Sequence, residues 1–327
     1  MKLARMNKVV VLMLIVVFMV VVGFTVSARG AAEEQRIVLA TGGTGGVYYP
    51  LGGAMASLWS SEIEGVSASS ESTGASVENV NLVNFLESQF GLVQNDIAYY
   101  AFNAVEMFSD QEPMERMRGV FTMYPETIQI IARAGSGVQS VADIAGLRVA
   151  VGAPGSGTEV NARQILVAHG ITYNDIRQDF LSFAEAADAL RDGHVDVAFV
   201  TAGLPTSSVI DLATTANVDI ISLEPGMVDA IIEEWPYYAE VTIPGGTYSG
   251  QDSDVRAVAV MAMMIAHETL DEELVYNITR VTLENTDVLA RTHDRGREVT
   301  AESALAGMSI ELHPGARRYY EEAGLLR

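Results

Sequence analysis

Apolar and polar positions along this chain fall into two regimes. Residues 9–26, VVVLMLIVVFMVVVGFTV, form an unbroken apolar run without a charge. They follow MKLARMNK, with Lys2, Arg5 and Lys8, and precede the small residues of VSARGAA. This order of basic, apolar and small-residue regions is that of a secretory leader. Cleavage after Ala28 or after Ala32 leaves a small residue at the cut, so residues 1–32 are expected to be a signal peptide and the body to be exported. The run of 18 residues is also close to the minimum for crossing a bilayer. An uncleaved anchor therefore stays open as the alternative.

From Ile37 onward the pattern changes to short apolar runs that alternate with amphipathic stretches. Residues Ile37–Ala40 read as a buried strand halted by glycines, and AMASLWSSEI as a helix. A strand is expected at Val66–Ser70, a helix around Val77–Glu87, a short strand before Gln94 and a helix after Asp96. MRGVFTMYPETIQIIA, residues 117–132, predicts two strands around a turn at Pro125. The grammar restarts after RAGSGVQSVADIAG: a strand at Arg148–Val151, then a helix over 156–168 with Gly170 just past its end. LSFAEAADALRDG reads as a strand edge and a helix, HVDVAFV as a strand, TAGLPTSSVIDLATTA as a loop and a helix, and VDIISLEP as a strand. VTIPGGTYSGQDSDVRAVAVMAMMIA returns to strand character, and the segment from DEELVYNITRVTLENT onward is mainly helical.

This βαβ rhythm predicts an α/β protein with mostly parallel sheets covered by helices, arranged as two lobes. The restart near residue 135 and the strand near 241 are the candidate crossings. A chain that leaves one lobe and later returns to it makes a cleft spanned by a two-strand hinge. A single division into two continuous domains is the alternative.

Composition narrows the partners. The formal charge is −22, and loss of the cations at positions 2, 5, 8 and 29 leaves a body near −26. Nucleic acid, whose phosphates demand a basic patch, is thereby excluded as a partner. With no cysteine, disulfides, thiolate chemistry and a lipid-modified cysteine anchor are excluded too. Both lysines lie in the leader. The acid excess over an arginine-only body points to salty surroundings, where screening limits self-repulsion; a bias against lysine codons explains the missing lysine equally well.

Loops that follow strands in open α/β sheets gather at one edge, where ligands collect. The first is Thr41-Gly42-Gly43-Thr44-Gly45-Gly46 before a helix, whose glycines let backbone N–H groups approach an anion. No Lys-Ser or Lys-Thr pair follows it, so it is not a nucleotide-binding loop of the Walker type. The second is Gly152-Ala153-Pro154-Gly155-Ser156-Gly157-Thr158-Glu159. Ser156 and Glu159 have capping-box spacing, so Ser156 either caps the helix alone or caps it and also faces a ligand, with Thr158 and Asn161 beside it. The third and fourth are Gln94-Asn95-Asp96 and Thr201-Ala202-Gly203. Asp96 either caps its helix or receives an ammonium group. Tyr48, Tyr49, Tyr99 and Tyr100 can wall a pocket or simply pack. Arg133 and Arg163 are the arginines to test as a carboxylate clamp.

A catalytic constellation is harder to assemble. The sequence contains no HExxH and no GxSxG, and His169, His194, His267, His293 and His313 are scattered, with no pair at metal-ligand spacing. No catalytic residue, metal ligand or cofactor is expected; binding without turnover is.

The loops also carry a resemblance. TGGTGGVYYPLGGAMA at 41–56, FGLVQNDIAYYA at 90–101, VGAPGSGTEVNARQIL at 151–166, VDVAFVTAGLP at 195–205 and VTIPGGTYSGQD at 241–252 are similar to segments of the TAXI family. These are the solute receptors of tripartite ATP-independent periplasmic (TRAP) transporters. The resemblance implies a two-lobed periplasmic binding protein of the type II class, with lobe one at 33–133 and 241–327 and lobe two at 134–240. It implies a receptor in the periplasm, and a monomer is expected. Its ligand would be a small carboxylate (glutamate, a related dicarboxylate or a keto acid), passed to an ion-gradient-driven membrane permease. Carried over residue by residue, it implies ligand contacts from Thr41, Gly43, Thr44, Gly45, Tyr48, Gln94 and Asp96 in lobe one. Ser156, Gly157, Thr158, Asn161, Ala202 and Gly203 would face them from lobe two. The rival readings are a sensory receptor signalling to a membrane kinase and an exported α/β hydrolase.

Overall fold

Two long strands organise the molecule. The computed structural model describes residues 34–326, and the expected leader lies outside the described residues. The first half of the chain runs β1 (Gln35–Ala40), α1 (Tyr48–Glu62), β2 (Val66–Glu71), α2 (Ser76–Asn84), β3 (Phe90–Gln94), α3 (Asn95–Asn103) and β4 (Met117–Arg133). It continues with β5 (Arg148–Ala150), α4 (Gly157–Ala168), β6 (Arg177–Asp179), α5 (Phe183–Arg191), β7 (Val197–Ala202), α6 (Ser207–Thr215) and β8 (Val218–Ile220). Then come α7 (Pro225–Glu234), β9 (Ala239–Ile243), β10 (Val255–His267), α8 (Glu272–Glu284), α9 (Thr286–Thr292) and α10 (Pro314–Glu322).

The strand order is β2-β1-β3-β10-β4-β7-β5-β6, with β9 added on β10 and β8 on β4. β1 and β3 are parallel, as are β5 with β6 and β5 with β7. β10 and β4 run antiparallel to their neighbours at the centre. Each of these two strands serves both lobes. The Ala262–Ala266 end of β10 pairs with β3, and its Val255–Ala259 end pairs with β9. The Met117–Thr122 end of β4 pairs with β10, and its Thr127–Ala132 end pairs with β7. The result is a two-lobed α/β fold with mixed sheets and flanking helices, its halves joined through β4 and β10.

Three departures from the sequence pattern have physical causes. The expected turn at Pro125 is absent, and residues 117–133 form one continuous strand. Pro125 lies opposite Met261, beside a register shift between Met261 and Met263. A proline, which lacks an N–H to give to the ladder, is tolerated at such an irregularity. Helix α1 starts at Tyr48, ahead of the AMASLWSSEI stretch, and runs through two glycines. Gly52 is needed there for close packing, because a β-carbon on it would come within 2.4 Å of the Thr41 methyl group. Helix α7 was not legible in the pattern; it begins with Pro225 in its first turn and buries only Val228 and Ile231.

Ile128, Ile130, Val149, Ile165, Phe199 and Ile231 form one core, beneath helices α4 and α7. Trp59, Phe90, Leu92, Phe121 and Tyr320 are fully buried in another. The Trp59 ring lies 5.4 Å from that of Phe90, and its Nε1 donates to Thr282 Oγ1 at 2.8 Å. Side chains of this size each contribute roughly 1.5–3 kcal/mol when taken fully out of water. Among the described residues no helix is long and apolar enough to cross a membrane.

Candidate ligand-binding cleft

The cavity lies where the two lobes meet. From the segments between β1 and β3 it is lined by Gly42, Gly43, Gly46, Val47, Tyr48, Thr73, Gly74, Ala75, Ser76 and Gln94, from β4 by Glu126, and from the segments between β5 and β7 by Ala153, Ser156, Gly157, Thr158, Ser182, Phe183, Thr201 and Ala202. The glycine loop after β1 brings the start of α1 to it, and the loop after β5 brings the start of α4. First-turn N–H groups have no partner inside their own helix. Val47 and Tyr48 from one lobe, and Gly157 and Thr158 from the other, therefore carry donors at the cavity wall. Both helix starts favour negative charge in front of them.

The lobes also touch directly. Val77 and Glu78 at the start of α2 donate their N–H groups to the Gly155 carbonyl at 3.0 and 3.1 Å. Ser208 N donates to Gly45 O at 3.3 Å. Gln94 Nε2 donates to Asn161 Oδ1 at 2.9 Å, and Asn161 Nδ2 donates to Asp96 Oδ2 at 3.1 Å and to Tyr238 Oη at 2.8 Å. Tyr238 Oη in turn donates to Gln164 Oε1 at 2.5 Å. Helix α4 comes so close to Gln94 that a β-carbon on Gly157 would fall 1.6 Å from Gln94 Oε1. Only a glycine fits between those two surfaces.

Three of the lining residues carry a polar group with capacity to spare. Gln94 Oε1 and Thr201 Oγ1 are buried without a hydrogen-bond partner among the described residues. Leaving such groups unpaired costs about 1–3 kcal/mol each, which a polar ligand would offset. The third is Glu126, a carboxyl that is only 4% exposed in the middle of β4. Tyr48 Oη donates to its Oε2 at 2.6 Å. Burial pushes Glu126 up to about 8, with the charge of Asp96 adding to the shift and the Tyr48 hydroxyl opposing it. Burial raises Tyr48 as well, followed by the Glu126 charge. Among the described residues lining the cavity there is no lysine, arginine or histidine.

Of the residues expected at the site, Gly43, Tyr48, Gln94, Ser156, Gly157, Thr158 and Ala202 line this cavity. Thr41, Thr44, Gly45, Asp96, Asn161 and Gly203 are not among the lining residues. The Thr41 hydroxyl donates to the Glu71 carbonyl at 2.6 Å, and Thr44 is exposed. Gly45 packs against Ala184 and Ser208, and Gly203 against Arg295 and Tyr124. Asp96 and Asn161 belong to the buried network behind Gln94. There Asp96 accepts from Ile97 N at 2.9 Å, and burial pushes it up to about 6 against the donors around it. Ser156 does cap α4, accepting from Glu159 N at 3.2 Å. The Glu159 carboxylate instead meets Arg163 at 3.0 Å and Tyr173 at 2.8 Å. Arg163 is thus engaged on its own helix. Arg133 lies 3.4 Å from Asp196, and neither arginine lines the cavity.

Glu126 was missed by sequence reading, together with Thr73, Ser76, Ser182 and Phe183, whereas Thr201 belongs to the fourth loop singled out above. A signal for it existed. A single carboxylate inside FTMYPETIQIIA, a run otherwise fit for a buried strand, has no solvent to explain it.

The NMT1-like family profile matches residues 39–324. Among solved structures, a protein from Bordetella bronchiseptica superposes with a TM-score of 0.57 at 17% identity, covering 89% of this chain and 99% of that one. The periplasmic binding protein BugD superposes with a TM-score of 0.55 at 14% identity, over 90% of this chain and 99% of its own. A third, described as a periplasmic transporter, gives 0.51 at 12% identity, over 91% and 94%. At these identities the likeness is one of fold. The chain belongs to the NMT1-like family, and its architecture is the two-lobed α/β fold seen in periplasmic binding proteins of type II.

Proposed function

We propose that this protein captures a small carboxylate outside the cytoplasmic membrane by closing its two lobes, and hands it to an ion-gradient-driven permease of the TRAP type. The observation that carries this reading is the convergence of two helix starts, one from each lobe, on a single cavity. Backbone and hydroxyl donors arranged in this way hold a carboxylate without an arginine, because buried donors gain much of their value from being paired. The ligand drives closure only in so far as it touches the closed state better than the open one. Contacts drawn from both walls provide that difference.

The resemblance of the cleft loops to those of TAXI receptors supports the permease partner and the choice among glutamate, a related dicarboxylate and a keto acid. The basic, apolar and small-residue order of residues 1–32 supports export. We take residues 33 to about 124 with the segment after Met261 as lobe one. The crossings then fall inside β4, near Pro125, and inside β10. On this assignment residues 241–260 travel with lobe two, since β9 and the start of β10 pair with each other and Val258 and Val260 lie in the second-lobe core.

Thermal-shift screening of the exported form against small carboxylates, with calorimetry on the hits, tests the reading. Stabilisation by a free acid and none by its methyl ester is the expected result. A preference for uncharged or cationic solutes contradicts it.

A further inference from the structure

Within the carboxylate site just proposed, on which this inference rests, Glu126 presents a difficulty. An anionic ligand entering the cavity meets a buried carboxyl and no side-chain cation among the described lining residues. Two like charges in one dehydrated site are mutually unfavourable, and one of the pair is held neutral by a proton. One oxygen of Glu126 is occupied by the Tyr48 hydroxyl at 2.6 Å, whereas Oε1 makes no hydrogen bond among the described residues. A protonated Glu126 therefore has an O–H to offer into the cavity while Tyr48 still donates to its carbonyl oxygen.

We propose that Glu126 enters the complex as a neutral carboxylic acid and donates its O–H to the carboxylate of the bound solute, so that the cleft captures solute and proton together. Glu126 is then a specificity-determining residue. It accepts an anion by surrendering its own charge, and the solute's carboxylate is bridged between an acid on β4, at the crossing between the lobes, and the start of α4 in lobe two. No bond of the solute is broken, and the proton stays on Glu126 throughout.

The ionisable surroundings agree with this assignment. From α1, Tyr48 is held protonated by burial. Along β4, Tyr124 is likewise raised by burial and by the Glu126 charge, with Arg295 opposing and Glu298 adding to the shift. From α3, the Asp96 charge disfavours ionised Glu126. Asp96 itself titrates at about 6, below the range where Glu126 changes, so the two are separable by pH.

The experiment is calorimetric titration of the exported form with 2-oxoglutarate, pyruvate, succinate and L-glutamate at pH 7 and pH 9, in buffers of differing ionisation enthalpy. With Glu126 titrating at about 8, a complex that requires the acid form is about tenfold weaker at pH 9 than at pH 7. At pH 9 it takes up close to one proton per solute. In Glu126→Gln, affinity is the same at the two pH values and no proton is taken up. In Tyr48→Phe, loss of a hydrogen bond that favours the ionised carboxylate moves the change to higher pH, a second readout should the glutamine variant fold poorly. Affinity that is constant or tighter at pH 9 in the wild type overturns the proposal while leaving the carboxylate reading intact. So does binding of L-glutamate alone, which would pair its ammonium with ionised Glu126. Failure of all four solutes to bind at either pH overturns the carboxylate reading itself.

Discussion

Gly157 and Gln94 stand in opposite lobes so close together that a β-carbon on the glycine would overlap the amide oxygen of the glutamine at 1.6 Å. The start of α4 is thereby brought against the end of β3, and both line the cavity. Since the clash is with an amide itself bonded to Asn161 at 2.9 Å, the neighbour cannot swing aside without breaking a second contact between the lobes. Gly157→Ala is therefore expected to fold but to close poorly. Calorimetry should show at least a tenfold loss of affinity, and small-angle scattering with ligand should show a larger radius of gyration than wild type.

Asn161 links Gln94, Asp96 and Tyr238 through one amide. Its removal leaves a buried Asp96 without its side-chain donor and Gln94 without its acceptor. Asn161→Ala should lower stability by roughly 1–3 kcal/mol, the usual cost of stranding buried polar partners. Chemical denaturation checks this, and a midpoint unchanged from wild type would show that the network carries no weight.

The pH dependence of the ligand-free protein follows from the same buried acids. Glu126 is raised from 4.5 to about 8, and Asp96 from 3.8 to about 6. A group whose folded pKa lies above its unfolded one costs nothing when both states are protonated. Its penalty grows as pH rises from the unfolded value and levels off above the folded one. Burial lowers His267, His293 and His313, whose effect is of the opposite sign below their ordinary 6.5, so the clear window lies above them, where melting temperature should fall up to about pH 8 through Glu126. Asp196, held down to about 2 chiefly by hydrogen bonds from Arg148, acts in the opposite sense, but only at pH below its ordinary range. Glu126→Gln should flatten the slope between about pH 6.5 and pH 8. A slope that survives the substitution contradicts the assignment.

Trp59 anchors the core around β1 and β3 through its contact with Phe90 and its hydrogen bond to Thr282. Trp59→Ala creates a cavity and strands the Thr282 hydroxyl. A loss of about 3–5 kcal/mol is expected on the scale of buried aromatic truncations, readable in the denaturant midpoint.

Much of this arrangement was legible in the sequence, and the reasons for the rest are local. Glycine-rich turns after β1 and β5 marked two walls of the cleft, because the need for backbone donors at a helix start leaves a compositional trace. The Ser156 cap was visible from its spacing, yet the reciprocal arm was not: Glu159 is drawn away by Arg163 and Tyr173. Asp96 illustrates the limit more sharply. Its place in the chain suited both a cap and a ligand contact, and only the packing of α4 sets it beside Asn161, behind the cavity. Pro125 read as a turn because one chain cannot reveal that its missing N–H faces a register shift in the partner strand. Glu126 sat one residue beyond that proline, and its role depends on Tyr48, 78 positions away.

The central claim is that a carboxylate is held between helix starts contributed by both lobes. Ser156 and Thr158 sit at the lobe-two start, and the Ser156→Ala, Thr158→Ala double variant removes its hydroxyls while leaving the backbone fold in place. Calorimetric titration of this variant with the solute found by thermal screening should give at least tenfold weaker binding, with a melting temperature within a few degrees of wild type. Full affinity in a normally folded double variant would contradict the account.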